Sequence, residues 1–268
     1  MKIIVTTTHS VKESDILLQE FLQETRWEFV PRRRKSLAYI SREHESPGIV
    51  VWHNDGPVLH LADEKFFFHP SMAKIRINAY RNRQIIDPLI KACDLKAQDH
   101  VLDCTLGMGA DSIVAAYFTG IKVVGLEASF PAAMMVKWGM KTYHSGINWL
   151  DEAIHRIEAV PADHKTFLKS LPDDSFDIVY FDPMFRQPLM DSKPLAPLRR
   201  LADHDPLTAE SLAEACRVAR KRVVMKELYR SGEMQRLGFD EFVGSLNNPI
   251  RYGYVLTDRS SRKKGKRC

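Results

Sequence analysis

The chain has 268 residues, 44% hydrophobic and 27% charged, a balance that builds a globular core and excludes fibrous and low-complexity classes. Its length suits one large domain or two modest ones, and no apolar run approaches a membrane span. The formal charge of +5 is local: the segment DRSSRKKGKRC (258–268) holds six basic residues and one acid, so the other residues sum to zero.

The opening MKIIVTTTHS has an apolar run of only three residues, too short for a signal peptide, so a cytoplasmic protein is expected. Lys2 to Thr6 reads as a strand, and Ser10-Val11-Lys12-Glu13 as a capping box for a helix with Ile16, Leu17, Phe21 and Leu22 on one face. Short strands follow around Leu37–Ser41, Gly48–His53, Pro57–Leu61 and Phe66–His69, with Asn54-Asp55-Gly56 as a hairpin turn. Residues 1–78 therefore read as a small, β-rich N-terminal α+β domain. Phe66-Phe67-Phe68 reads as strand core, and Arg32-Arg33-Arg34-Lys35 as a basic patch.

From Ile85 onward helix and strand alternate. Helices are expected at Pro88–Cys93, Asp111–Phe118, Pro131–Tyr143, His164–Ser170 and Ala209–Ala219. Strands are expected at His100–Cys104, Lys122–Leu126, Ile157–Val160, Asp177–Phe181, Arg222–Lys226 and Ile250–Thr257. Such alternation predicts an α/β, Rossmann-like domain over 79–257, a mainly parallel sheet with helices on both faces. The tail, 258–268, reads as disordered, and suits a polyanion or a solvated end equally. Cys93, Cys104, Cys216 and Cys268 form no C-x-x-C pair and the histidines are dispersed, so neither a disulfide framework nor a metal site is expected.

After the first strand of the alternating series comes Asp103-Cys104-Thr105-Leu106-Gly107-Met108-Gly109-Ala110-Asp111. Gly107 and Gly109 permit a tight turn that brings bare amides close to a ligand. Glu127 ends the next strand, 24 positions after Asp103, where an acid accepts hydrogen bonds from ribose hydroxyls. Nicotinamide dinucleotides and S-adenosylmethionine (SAM) both fit this layout. The dinucleotide fingerprint wants a third small residue where Ser112 stands, and Asp111 at the helix start would repel a pyrophosphate. With Asp103 at the strand tip, that acid suits a cationic ligand, so the pattern favours SAM.

The strand Asp177–Phe181 runs into Asp182-Pro183-Met184-Phe185. Proline keeps Asp182 out of helical geometry at the strand rim. A carboxylate and a main-chain carbonyl there can orient the N–H bonds of a planar amine, while Phe185 offers a face for a base. Asp182, Pro183 and Phe185 are the candidate catalytic residues. Asp-Pro-x-aromatic in this place resembles the Asn/Asp-Pro-Pro-Tyr/Phe box of amino-methyltransferases. More narrowly, DCTLGMGAD, GLEAS, YFDPMF and KRVVMKE, in this order, resemble the RsmJ family, SAM-dependent methyltransferases of a guanine N2 in small-subunit ribosomal RNA.

That resemblance covers roughly residues 80–257. It implies a class I methyltransferase fold, with the cofactor's amino-acid end by Ala110 and Asp111, its ribose by Glu127 and Ala128, its adenine region by Asp163 and His164, and Asp182 between cofactor and acceptor. It implies RNA as partner. Arg186 stands where the family has proline, and Asp163-His164 where it has small hydroxyl residues. Arg186, Lys193, Arg199 and Arg200 follow the box as candidates for an RNA backbone channel. Lys226 can face the site or cap an exposed strand end, and Tyr80, Arg81 and Arg83 lie where substrate would enter. The rival readings are a methyltransferase of DNA or a small molecule, a nicotinamide oxidoreductase, and a non-catalytic RNA-binding protein.

Overall fold

The computed structural model describes residues 1–183, 200–201, 205–244 and 248–257. Met184 and Phe185 of the box, Arg186, Lys193, Arg199 and the basic tail lie outside them.

The N-terminal sheet has the order β2-β1-β3-β4-β5, from β1 (Ile3–Thr7), β2 (Glu28–Phe29), β3 (Gly48–His53), β4 (Gly56–Leu61) and β5 (Glu64–Phe66). β1 runs parallel to β2 and β3, and β3, β4 and β5 form antiparallel hairpins. His53 pairs with Gly56, so the expected turn is a two-residue loop, and Gly56 takes a left-handed φ of 119°. α1 (Ile16–Thr25) packs on one face.

Three local expectations fail here. The N-cap of α1 is Asp15, whose Oδ1 accepts from the Leu18 amide at 2.9 Å, and not Ser10. β1 stays paired through the Thr8 amide bond to the Trp52 carbonyl, so the chain cannot enter a helix at Ser10. The buried face is Leu18, Phe21 and Thr25, leaving Ile16 exposed. Leu37–Glu43 is a helix, α2, because Ser36 caps it by accepting from the Tyr39 amide at 3.1 Å. Phe66 and Phe68 are core, but Phe67 is 44% exposed.

α3 (Ser71–Arg83) spans the boundary expected at residue 78, so the two parts share a helix. They also share a core, with Phe21, Trp52 and Trp138 in mutual ring contact at centroid distances of 5.0, 5.6 and 5.9 Å.

The second sheet contains β6 (Val101–Asp103), β7 (Val123–Glu127), β8 (Ile157–Pro161), β9 (Phe176–Phe181), β10 (Ala219–Leu228), β11 (Glu241–Val243) and β12 (Ile250–Leu256). Its order is β11-β12-β10-β9-β6-β7-β8, with β8 to β10 parallel and β12 antiparallel to both β10 and β11. Connecting helices are α4 (Pro88–Cys93), α5 (Ala110–Thr119), α6 (Phe130–Thr142), α7 (Asn148–His155), α8 (His164–Ser170), α9 (Ala209–Val218) and α10 (Glu233–Arg236). The cores on its two faces show helices on both sides, the Rossmann-like arrangement expected from the alternation of helix and strand. Chain order reverses at β6: β7 lies on one side and β9 on the other. The carboxyl ends of β6 and β9 thus flank the crevice where open α/β sheets bind ligands.

Candidate active site

Strand register assembles the site. Asp103 ends β6 opposite Gly125 of β7 and Tyr180 of β9, and Glu127 ends β7 opposite Pro161 of β8. Met225 of β10 pairs with Phe181, so the next residues, Lys226 and Asp182, come level on the same rim. The five parallel strands therefore deliver Asp103, Glu127, Asp163, Asp182 and Lys226 to one edge.

The glycine turn is built as a cradle. Gly107 and Gly109 have φ of 50° and 74°, and a Cβ at 109 would run into Met140 Cε. Glu127, 7% exposed, ties the turn down: Oε2 accepts from the Gly107 amide at 3.2 Å and Oε1 from the Ser129 amide at 3.0 Å. Ala110 opens α5, and Ala128 is exposed just past Glu127. Asp163 caps α8 by accepting from the Lys165 amide at 2.8 Å, which puts His164 at the helix start, its ring edge-on to Phe181 at 5.5 Å.

Asp103 and Asp111 differ from expectation in where they point. Asp103 Oδ2 accepts from Ser112 Oγ at 2.6 Å and Oδ1 from the Thr105 amide at 3.0 Å. Burial, with repulsion from Asp111 and Asp182, pushes its pKa up to about 7 against those hydrogen bonds. Asp111 was expected to offer an open carboxylate to a cationic ligand. Both its oxygens instead meet protein: Oδ1 accepts from Arg76 Nη1 at 2.5 Å, and Oδ2 from Tyr180 Oη at 3.0 Å and Lys226 Nζ at 3.1 Å. The cavity beside Asp103, Asp111 and Ser112 is only about 10 Å³, room for at most one water.

Asp111 is thus the hub of a buried charge network. Arg76 on α3 grips Asp87 through Nε and Nη2 at 2.7 and 2.9 Å, and Asp87 also caps α4. Lys226 Nζ bridges Asp111 to Asp182, reaching Asp182 Oδ2 at 2.7 Å. Burial would raise the Asp111 pKa, but the Lys226 and Arg76 charges together hold it well below the usual carboxylate range. Asp182 goes the other way. Burial and the negative charge of Asp111 outweigh Lys226 and push it up to about 6. Lys226 is held protonated, since its two carboxylates overcome the effect of burial. The Asp182 amide donates to Thr105 Oγ1 at 2.5 Å, stitching β9's end to the glycine loop.

The sequence reading left Lys226 open between site and exposed strand end; its side chain is 19% exposed and inside the site. Arg76, Asp87, Thr105 and Tyr252, which pairs with Lys226 across β10 and β12, were not anticipated. Arg76 had one usable signal. It sits between Ala73 and Ile77, the buried positions of α3, where an arginine needs a buried acid. Arg81 is elsewhere, donating to Tyr117 Oη at 3.0 Å, Tyr80 packs on Phe118, and Arg200 faces Glu64 of β5 at 3.4 Å. Among the described residues no group of His, Cys, Asp or Glu is arranged to hold a metal, and no helix is long and apolar enough to cross a membrane.

A cradle of two left-handed glycines and a carboxylate tying it to the next strand fit a nucleoside cofactor. The family model described as "Putative SAM-dependent methyltransferase" matches residues 63–237. The chain belongs to this family. It is a SAM-dependent methyltransferase, and SAM is its cofactor. YpiP of Bacillus subtilis (strain 168) is 33% identical over 240 residues, 88% of this chain and 93% of its own. Ribosomal RNA small subunit methyltransferase J of Coxiella burnetii (strain Dugway 5J108-111) is 31% identical over 143 residues, 52% of this chain; the match spans about half, 54%, of that relative's length. A SAM-dependent methyltransferase structure from Neisseria gonorrhoeae superposes with a TM-score of 0.61 at 20% identity, covering 98% of this chain and 99% of that one, which supports the fold.

Proposed function

We propose that this enzyme methylates an exocyclic amine of an RNA base, the N2 of a guanine in small-subunit ribosomal RNA, in the cytoplasm. One observation carries the chemistry: Asp182 stands at the switch point between β6 and β9, pinned by Thr105 and Lys226 beside the glycine turn. The acceptor class is supported by the Asp-Pro-Met-Phe sequence and by the names of the partial-length relatives.

SAM supplies an electrophilic methyl group on a sulfonium. Gly107, Gly109 and Ala110 form the turn along its amino-acid end, Glu127 and Ala128 take the ribose, and Asp163 and His164 flank the adenine. Asp103 and Asp111 act from beneath, as anchors of the loop and of Lys226. Asp182, ionised at neutral pH, accepts a hydrogen bond from the substrate N–H, turning the amine so that its lone pair faces the methyl group. Pro183 holds the carboxylate extended, and Phe185 supplies the stacking face for a base drawn out of its helix. Lys226 fixes the carboxylate's direction and keeps it charged, and is a positioning residue.

The test is nucleoside mass spectrometry of ribosomal RNA from cells with and without the gene, alongside transfer assays on RNA, DNA and metabolite extracts. The expected result is one N2-methylguanine missing from small-subunit RNA; methyl transfer to DNA or metabolites alone refutes the assignment. Asp182→Ala should lower transfer by about 10²–10⁴-fold while SAM affinity stays within a few-fold. Unchanged turnover removes the role given to Asp182.

A further inference from the structure

The N-terminal sheet has two unlike faces. Val5, Val50, Trp52 and Leu59 point into the core shared with the methyltransferase sheet. Ile4, Ile49 and Val51 point the other way, into a small separate core with Val30 and Ile40. α2 covers only part of this outer face. Beyond it, over β3, β4 and β5, lies a cavity of about 460 Å³, within the size range of small-molecule sites.

The lining is unusual for a neglected surface. Arg32 and Lys65 bring positive charge, His9, His53 and His60 bring imidazoles, and Asp55 is the one acid in the wall. Burial, with the nearby charges of Lys65 and Arg32, holds the His60 imidazole below its usual pKa. Arg32 is held in place by its Nε bond to the Lys35 carbonyl at 2.8 Å. Val51, Val58 and Leu37 give an apolar floor, and the exposed ring of Phe67 stands at the edge. Basic donors beside an apolar floor, with a half-exposed Phe67 ring tilted against His69 at 5.7 Å, suit a phosphorylated ring, not a bare anion or a hydrocarbon.

We propose that this cavity binds one nucleotide unit of single-stranded RNA, its phosphate held by Arg32 and Lys65 and its base laid over Phe67 and the valine floor. The proposal rests on the RNA reading above and extends the substrate surface to the N-terminal sheet. Phe67, which reads as core in the sequence, gains a reason for its exposure.

Equilibrium binding to the full-length protein tests this, with a short single-stranded RNA, adenosine monophosphate and inorganic phosphate as probes, and SAM binding as the folding control. Phe67→Ala should weaken RNA and mononucleotide at least about fivefold, and Lys65→Gln should weaken RNA and flatten its salt dependence, both with SAM affinity unchanged. Photo-crosslinking of thiouridine RNA to the wild-type protein should label β4 or β5 peptides. The proposal is overturned if both variants bind RNA like wild type, if phosphate binds as tightly as the mononucleotide, or if crosslinks avoid those strands. A protein that methylates RNA with such an outcome keeps its function and loses this site. One that binds the mononucleotide here yet methylates no RNA keeps the site and loses the proposed function.

Discussion

Two interior regions of this molecule are held together in opposite ways. Between the two sheets, Trp138 packs edge-on against Phe21 and Trp52, which tilt against each other, with Gly139 letting Phe68 approach α6 and Trp138 Nε1 donating to Glu24 at 2.9 Å. At the rim of the second sheet, Arg76, Asp87, Asp111, Lys226 and Asp182 form a chain of buried charges. The aromatic seam removes apolar surface from water at no polar cost. The charge chain must offset desolvation of every member, and an apolar cluster of the same shape would stabilise the fold as well or better. Its presence at the switch point is explained by what it does to Asp182: a carboxylate aimed, partly buried and poised near neutrality.

The sharpest way to break this contrast is Lys226→Met. It leaves Asp111 and Asp182 facing each other without their shared cation, and should cost about 3–5 kcal/mol of stability besides most turnover. The loss should grow from pH 6 to pH 8.5, because both acids are then forced to ionise; denaturant unfolding at the two pH values checks the sign. At the seam, Trp138→Ala should cost a similar ~3–5 kcal/mol, yet with no dependence on pH and with SAM affinity of the folded fraction intact. A pH-dependent loss there would erase the distinction between the regions.

A smaller effect is expected of Gly139→Ala, whose Cβ would run into Phe68; overpacking of this kind costs about 1–3 kcal/mol, readable as a shift of the urea midpoint. The mildest test needs no mutation. The Asp182 pKa is raised, so its acceptor form is present above about 6 and is lost as pH falls through that value. kcat should then drop about tenfold per pH unit on the acid side. A profile flat down to pH 5 would mean that Asp182 is not the acceptor, or that its pKa is not raised.

Much of the second sheet could be read directly. Strand runs such as Ile178-Val179-Tyr180-Phe181 and the glycine turn lie in local sequence, and so does the place of Asp182 at a strand end. The misreadings fall where local signals compete. Leu37–Glu43 alternates enough to suggest a strand, yet Ser36 caps it as a helix. Ser10 to Glu13 has the spacing of a capping box, but the pairing of β1 with β3 defers the helix to Asp15. α3 is weakly amphipathic, with Met72 and Ile75 exposed, so neither the helix nor Arg76 stood out.

The sequence by itself determined the family, the alternation of helix and strand, and the order in which the glycine turn, Glu127 and the Asp-Pro box reach one edge of the sheet, because these are set by residues adjacent in the chain. Only the tertiary structure decided what the charges do. Asp111, Lys226 and Asp182 lie far apart in sequence, and strand register brings them within hydrogen-bond reach. Burial then pushes Asp182 up while two cations hold Asp111 down. Which carboxylate is held down and which is pushed up depends on desolvation and on partners from distant strands and helices, and no local pattern encodes either.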